Sequence, residues 1–330
     1  MPSDDTAEMS SPARSELGRQ QVPTTVSAAA AVLTGAAAWG STGTAAHFAP
    51  AGASAASVGA ARIAIGGALL LIMAVGTARR RQAVGSLLAG SGGRVWPDRG
   101  VLVLAAAAVA GYQICFFTAV RATGVAIGTV VAIGSAPVFT GLLTLLTGGP
   151  RLGPRWAIAT SAAVAGCAVL VTAGRATGAS PAGVLLALLA GLCYAVYAVA
   201  AARLIARGSP ETAVMGLLFG GAALLLAPVL ATSPAGWLLT TRGIAVAGYL
   251  GVVTTAFAYL LYGRGLRTLS APVAVTLGLA EPGVAAVLGL LVLGERLSWT
   301  AAAGLILVGL AIASLAGSRT GRQAAADAPG

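Results

Sequence analysis

Residues Glu281–Leu297 read EPGVAAVLGLLVLGERL, and residues Ala136–Leu152 read APVFTGLLTLLTGGPRL. At a shift of 145 residues, the two stretches share a proline, a glycine and an arginine–leucine pair. These matches are Pro137 with Pro282, Gly149 with Gly294, and Arg151-Leu152 with Arg296-Leu297. A tryptophan, Trp156 or Trp299, opens the next apolar run in each copy. Apolar helices resemble one another by chance, but matched Pro, Gly and loop Arg in one register indicate an internal repeat.

The composition around this repeat indicates a membrane protein. Of the 330 residues, 57% are hydrophobic and only 9% are charged, and the mean hydropathy is +0.89. A soluble protein carries roughly a quarter of its residues as charges, so we expect the outside of this molecule to face a lipid bilayer. The net charge of +11 does not predict a nucleic-acid partner, because the arginines lie singly or in small groups between apolar runs.

A helix that crosses a bilayer needs about 20 mainly apolar residues, and the chain contains ten such runs. Arginine, proline or glycine clusters separate almost all of them. The predicted spans are Val26–His47, Ser54–Thr77, Gly100–Ala119, Thr123–Thr147, Trp156–Gly174, Pro181–Ala202, Thr212–Ala231, Gly243–Tyr262, Ser270–Leu293 and Trp299–Gly317. The alternative for the first run, a cleaved signal peptide, would leave nine spans, but a basic segment before a short apolar core is missing.

The distribution of arginine predicts the orientation, since short cytoplasmic loops retain excess basic residues. With the N-terminus inside, 15 arginines fall on the inner side and four on the outer side, and Arg62 falls within a span. The outer four are Arg121, Arg175, Arg242 and Arg296. We therefore predict a multi-pass protein of the cell (inner) membrane with both termini cytoplasmic.

The repeat and the spans together predict an all-α integral membrane fold of two five-helix copies. Because five is odd, the second copy enters the membrane upside down, and inverted repeats are typical of transporters. The predicted units are a disordered N-terminal tail at 1–25, a first repeat at 26–174, a second repeat at 181–317 and a C-terminal tail at 318–330.

The chain resembles the drug/metabolite transporter (DMT) superfamily, and within it the ten-helix permeases built from two EamA domains. The resemblance is carried by Trp39-Gly40-Ser41, Ala119–Leu146, Leu188–Leu204, Gly251–Pro272 and Ala280–Ser298. One departure concerns a Gly-Glu pair after the fourth span of each copy. In the first half Gly149 is followed by Pro150, and only the second half keeps the pair, as Gly294-Glu295, where the resemblance implies a structural cap.

The resemblance implies a secondary carrier of the inner membrane that moves amino acids, other small metabolites or drugs, mostly outward. It also implies that no nucleotide is bound. Consistently, the chain has no Lys to complete a phosphate-binding Gly-rich loop. We expect alternating access around a central site, with a small-molecule solute as partner. Proton antiport and facilitated diffusion both fit the residues, and the oligomeric state stays open.

Glu281 is the only carboxylate well inside a predicted span. A charge near the bilayer centre costs at least ~2.5–3.5 kcal/mol, so such residues by default face a cavity and serve function. We interpret Glu281 as a proton-coupling or substrate-amine site. The alternative is a packed interface residue, because Glu281 belongs to a small-residue stripe with Ala274, Gly278, Ala285 and Gly289. Pro282 beside it predicts a local break in the helix.

Arg62 lies about eight residues into the second span, roughly 12 Å along a helix. It either snorkels to the outer surface or faces the cavity, where it would bind a carboxylate or pair with Glu281. Polar and aromatic residues at comparable depth are further candidates for the solute site, with hydrogen bonding inside the packed bundle as their alternative role. These are Trp39, Tyr112, Gln113, Tyr194, Tyr197, Thr255 and Tyr259.

The sequence predicts neither a cofactor nor a metal site. His47 is the only histidine and has no second ligand at metal-binding spacing, so we interpret it as an interfacial side chain. The three cysteines, Cys115, Cys167 and Cys193, lie within spans and predict neither a disulfide framework nor a metal site.

Other functional classes fit the residues less well. An integral-membrane enzyme acting on lipid-linked substrates would need paired carboxylates or a histidine-based nucleophile. Asp98 is the sole aspartate between spans, and we therefore predict that the chain is not an enzyme. A channel would show charged rings or a filter motif. A non-transporting scaffold stays open, but it gives no reason for the repeat or for Glu281.

Overall fold

The computed structural model describes residues 24–89, 98–172, 180–294 and 298–316, and within these ranges every regular element is a helix. A 3₁₀ helix at Gly236–Leu239 precedes α9, and a π-helical turn at Val252–Phe257 joins α9 to α10. The α-helices are α1 Thr25–His47, α2 Ala55–Val75, α3 Ala78–Ala89, α4 Asp98–Thr123, α5 Val125–Leu146, α6 Pro154–Thr172, α7 Pro181–Ala206, α8 Glu211–Thr232, α9 Thr241–Gly251, α10 Ala258–Leu266, α11 Ala271–Gly278, α12 Ala280–Val292 and α13 Trp299–Ala316.

Eight helical segments of the described chain are long and apolar enough to cross a membrane. They are Ala55–Val75, Arg99–Thr123, Ile127–Leu146, Pro181–Ala206, Glu211–Thr232, Thr241–Leu266, Ala271–Val292 and Trp299–Ala316. The predicted spans Val26–His47 and Trp156–Gly174 correspond to α1 and α6, which are not among the eight. Large apolar side chains on the spanning helices point outward, such as Leu224 (75% exposed) and Leu291 (74% exposed). The chain is a multi-pass membrane protein.

The end of α4 differs from the prediction for a local reason. The third span was predicted to end at Ala119, which placed Arg121 in a connection, but α4 continues to Thr123 and Arg121 lies in its last turn. The Thr123 hydroxyl donates to the Ala119 carbonyl at 2.9 Å. The helix ends only at Gly124, whose φ of +82° lies in the region that favours glycine.

The short helix α3 was not predicted as a helix. Val84 and Leu87 are buried on its inner side, where it packs against α4 and α8. At its start, Arg80 and Arg81 donate to the carbonyls of Met73 and Val75, each at 3.0 Å. These carbonyls belong to the last turn of α2, which has no further helical donors to satisfy them.

The tightest packing joins helices of residues 26–172 to helices of residues 181–317. The α2 helix packs along α8, α4 along α7, and α6 along α13. The α5 helix also packs on α7, and α1 lies against both α10 and α12. The core is therefore formed between the two parts of the chain rather than separately within each.

Several predictions fall partly or wholly outside the described residues. They are the N-terminal tail up to residue 23, the C-terminal tail from residue 318, and the turn at Glu295 and Arg296. His47 is the last residue of α1 and is exposed, with its ring edge-on to Phe48 at 5.6 Å. All three cysteines are free thiols.

Candidate functional site

A small cavity of about 30 Å³ lies inside the bundle, which is room for a single water molecule. Helices α1, α2 and α4 of the first half line it together with α7, α10 and α12 of the second half. The lining residues are Trp39, Arg62, Tyr112, Tyr194, Tyr197, Tyr259 and Glu281. We call this space the inner cavity. It brings together seven residues that sequence analysis singled out on six different helices.

A break in the ninth predicted span positions Glu281. The α11 helix ends at Gly278 and α12 begins at Ala280. Pro282 has no backbone N–H to donate to the Gly278 carbonyl four residues earlier, and its ring crowds that carbonyl. Glu281 thus occupies the first turn of α12, where the helix dipole favours a negative charge.

The matching proline of the first half does not break its helix, since α5 runs continuously through Pro137. The residue four positions before Pro137 is Ile133, whereas Gly278 precedes Pro282 at the same spacing. Glycine disfavours a helix by ~1 kcal/mol relative to alanine. Gly278 therefore weakens the second helix at the carbonyl that Pro282 leaves unpaired, whereas α5 has its glycine, Gly134, one residue later relative to its proline.

A glycine on α1 lets the backbone of α12 approach. A Cβ at Gly40 would lie 2.7 Å from the carbonyl oxygen of Glu281 and 2.7 Å from the Cβ of Val284. No side chain fits there without moving one helix. Gly40 follows Trp39, so this close crossing also brings the indole to the inner cavity.

Arg62 faces the inner cavity rather than the outer surface. Its Nε–H is buried and has no hydrogen-bond partner among the described residues. Within the same part of the chain, no ion pair joins Arg62 to Glu281. The guanidinium and the carboxyl therefore line one cavity without a direct ion pair. Each is available to bind a group of a solute molecule.

Aromatic rings form most of the remaining wall. Trp39 packs on Tyr259 with ring centroids 4.9 Å apart, and Tyr194 stacks on Tyr197 at 5.1 Å. Tyr112 meets Tyr194 edge-on at 6.1 Å. The Trp39 indole Nε1–H is buried and without a partner in the described chain. It is a second donor available to a bound molecule.

Sequence analysis missed further rings that contact this cluster, among them Phe219 and Tyr262. Phe219 of α8 lies 3.9 Å from Tyr259, and Tyr262 lies 5.5 Å from Trp39, both measured between ring centroids. Tyr262 follows Tyr259 by three residues on the same helix, so helical spacing could have indicated it. Nothing in the sequence distinguishes Phe219 from other apolar residues of its helix.

Gln113 and Thr255 are buried but do not line the inner cavity. The amide nitrogen of Gln113 has no partner among the described residues. The Thr255 hydroxyl donates to the Leu250 carbonyl, five residues earlier, at 2.9 Å within the π-helical turn. A Cβ at Gly66 would lie 2.4 Å from the Thr255 side chain. Thr255 therefore packs where the π-helical turn crosses α2. This crossing is one helical turn along α2 from Arg62.

The inner cavity thus combines one carboxyl, one guanidinium and one free indole N–H in an aromatic shell. Such a set can hold a proton, a water molecule or the charged groups of a small solute.

Comparison with known proteins gives consistent results. The EamA-like transporter family matches residues 26–172 and again residues 181–317. A protein of Bacillus subtilis (strain 168) named "Uncharacterized transporter YwfM" is 38% identical over 281 residues, which cover 84% of this chain and 90% of that protein. A crystal structure with 24% sequence identity covers 87% of this chain and 96% of its own, with a TM-score of 0.72, and shows the same fold. The resemblance of the sequence to this group is confirmed, and the chain belongs to the EamA-like transporter family of the drug/metabolite transporter superfamily.

Proposed function

We propose that the protein is a secondary carrier of the inner membrane that exports a small solute, such as an amino acid, another small metabolite or a drug, by alternating access. The observation that carries this proposal is the inner cavity, where Glu281 and Arg62 meet between the two halves of the chain. Charged side chains inside a bilayer are costly and mark solute or ion pathways.

The packing of the helices supports two repeats of five spans, at 26–174 and 181–317. In chain order, α1 corresponds to α7, α4 to α9–α10, and α5 to α11–α12. Exchanging the halves turns the α4–α7 contact into α1–α10 and the α5–α7 contact into α1–α12, and all four contacts are present. In the same order, α2 corresponds to α8 and α6 to α13. Exchanging the halves therefore leaves the α2–α8 and α6–α13 contacts unchanged. Two copies related by a pseudo-twofold axis have this symmetry.

The arginine distribution supports an orientation with both termini in the cytoplasm. The outward direction of transport that we propose rests on the family resemblance, not on this orientation. The inner cavity is too small for a metabolite in the conformation described, so the halves must separate to admit one. Rocking of two repeats around a fixed site is the motion that inverted-repeat carriers use.

Glu281 is the residue we propose for coupling or for binding a substrate amine. A carboxyl that is alternately exposed to the two sides can carry a proton inward as solute leaves. Facilitated diffusion would use the same cavity without a proton. The pH dependence of transport separates these two modes.

An export assay tests the proposal. Cells lacking their own exporters would express the wild type, Glu281→Gln or Ser86→Ala at equal membrane levels, and amino acids and common metabolites would be quantified inside and outside. Ser86→Ala is the control, because Ser86 is exposed and its hydroxyl donates to the Ala83 carbonyl within α3, away from the inner cavity.

We expect a solute that accumulates outside with the wild type and with Ser86→Ala, and much less with Glu281→Gln. Export by Glu281→Gln at the wild-type rate, with the same pH dependence, would overturn the role of Glu281. If the wild type moves no solute in either direction, the carrier proposal fails. That result would favour the alternatives, a membrane scaffold or an enzyme acting on lipid-linked substrates.

A further inference from the structure

A second and larger cavity, of about 430 Å³, opens at one face of the bundle. At this face α5, α7 and α10 end, while α6 and α11 begin. We call this space the vestibule. Its polar lining includes Arg151, Trp156, Arg203, Arg267, Thr147 and Ser270. The volume lies in the range of small-molecule sites.

The charge in the vestibule has one sign. Three arginines line it, and no Asp or Glu is among the lining residues. Arg203 donates to the Thr147 carbonyl at 2.7 Å, and Arg267 lies 3.8 Å from Glu211. Arg151 makes no hydrogen bond or ion pair with the residues that the structure describes. Its guanidinium is therefore available to an incoming anion.

A second unused donor belongs to Trp156, a residue of the vestibule lining. The indole Nε1–H of Trp156 is buried and has no partner in the described part of the chain. The ring is fixed against α5, since a Cβ at Gly141 would lie 2.7 Å from its Cη2 atom. A buried donor without an acceptor is unfavourable until something supplies one. Arg151 and Trp156 thus offer a charged and a neutral N–H, a combination that suits an oxyanion.

The vestibule and the inner cavity are lined in part by the same helices. Tyr197 of α7 lines the inner cavity and Ala202 of the same helix lines the vestibule, which separates them by about 8 Å along the helix. On α10, Tyr259 lines the inner cavity and Leu266 lines the vestibule, about 10 Å apart along the helix. Two helices therefore carry the walls of both spaces.

We propose that the vestibule binds the carboxylate or phosphate group of the transported solute before it reaches the inner cavity. Arg151 binds the oxyanion through its guanidinium, and Trp156 donates its indole N–H. The inference rests on the proposed carrier function and narrows the solutes to those bearing an oxyanion.

Binding to the purified protein tests this site without requiring transport. The full chain would be placed in nanodiscs of neutral phosphatidylcholine, and the binding of benzoate, inorganic phosphate and the uncharged benzamide would be measured by calorimetry. The variants are Arg151→Gln and Trp156→Phe, the second of which keeps an aromatic ring against Gly141. Arg155→Gln is the matched control, because Arg155 precedes Trp156 but donates to the Ser314 carbonyl at 2.8 Å, outside the vestibule.

We expect benzoate or phosphate to bind the wild type at least tenfold more tightly than benzamide. Arg151→Gln should weaken binding about tenfold and Trp156→Phe severalfold, as the loss of a charged and a neutral hydrogen bond implies, while Arg155→Gln should leave it unchanged. The site is overturned if no soluble anion binds, or if Arg151→Gln and Arg155→Gln behave alike.

A further arm replaces part of the lipid with phosphatidylglycerol. If this lipid displaces the soluble anions at stoichiometric amounts, the vestibule holds a lipid headgroup, and the role in solute binding is wrong. Anion binding together with a failed export assay would overturn the carrier function and leave the site standing. Export without anion binding would overturn the anion site and leave the carrier function standing.

Discussion

Gly40 and Glu281 meet through their backbones, and the space between α1 and α12 at this point is smaller than a methyl group. A Cβ at Gly40 would lie 2.7 Å from the Glu281 carbonyl oxygen. One turn further along the chain on α1, a Cβ at Gly43 would meet nothing within 4 Å. The contact holds the first turn of α12, and with it the carboxyl of Glu281, against the first half of the chain.

Gly40→Ala should therefore destabilise the protein by about 1–3 kcal/mol, the usual cost of overpacking, and should reduce export by displacing Glu281. Gly43→Ala on the same helix should be neutral or slightly stabilising, because it adds helix propensity in open space. Thermal unfolding in detergent measures both. Equal unfolding midpoints for the two variants would contradict the close crossing.

Arg62 and Glu281 should be energetically coupled, although no ion pair joins them among the described residues. Each single change, Arg62→Gln or Glu281→Gln, leaves the opposite charge without its counterpart in a low-dielectric cavity. The double variant should lose less stability than the sum of the two, by about 0.5–3 kcal/mol. A double-mutant cycle on the free energy of unfolding measures this. Additive losses would mean that the two residues act independently.

Trp39→Phe should weaken solute binding more than it weakens the fold. The phenyl ring keeps most of the packing on Tyr259, but the indole N–H that has no partner in the described chain is lost. We expect KM for the exported solute to rise roughly two- to tenfold, the equivalent of one hydrogen bond. Trp299→Phe is the control, since Trp299 is 93% exposed. An unchanged KM would remove Trp39 from the solute site.

A buried hydrogen-bond chain near the start of α2 gives a prediction about stability alone. The Trp237 indole donates to the Ser57 hydroxyl at 2.8 Å, and that hydroxyl donates to the Pro234 carbonyl at 3.2 Å. Ser57→Ala leaves both groups unsatisfied and should cost about 1–3 kcal/mol.

Adding Trp237→Phe to Ser57→Ala should recover part of that loss, because the stranded indole N–H is then gone. Ser86→Ala is the control, since its exposed hydroxyl bonds only within α3. Unfolding midpoints distinguish these cases. A Ser57→Ala variant as stable as Ser86→Ala would show that the chain contributes nothing.

The helices and the charged members of the site could be predicted because each has a local signal. Apolar runs of sufficient length stand out from arginine-rich breaks, and an isolated charge such as Glu281 or Arg62 stands out within a run. Pro282 indicated the break before α12 for the same reason. These features depend on the residue and its immediate neighbours.

Features that depend on how helices cross could not be predicted in this way. Phe219 reaches Tyr259 because α8 and α10 pack together, and its own surroundings in the sequence are uniformly apolar. Gln113 and Thr255 were singled out by depth, but depth does not determine which way a side chain faces. The π-helical turn that carries Thr255 packs against Gly66 of another helix. Predicting this turn would require knowing that these two distant segments are in contact.

The arginines that begin α3 link biogenesis to structure. Arg80 and Arg81 belong to the basic group that predicts which side of the membrane this segment remains on, and the same two guanidinium groups bind the last carbonyls of α2. A substitution to glutamine would thus remove a retention signal during insertion and also fray a finished helix. A defect of that variant seen in cells would combine misinsertion with weakened structure, and only protein refolded or inserted in a defined orientation would separate the two.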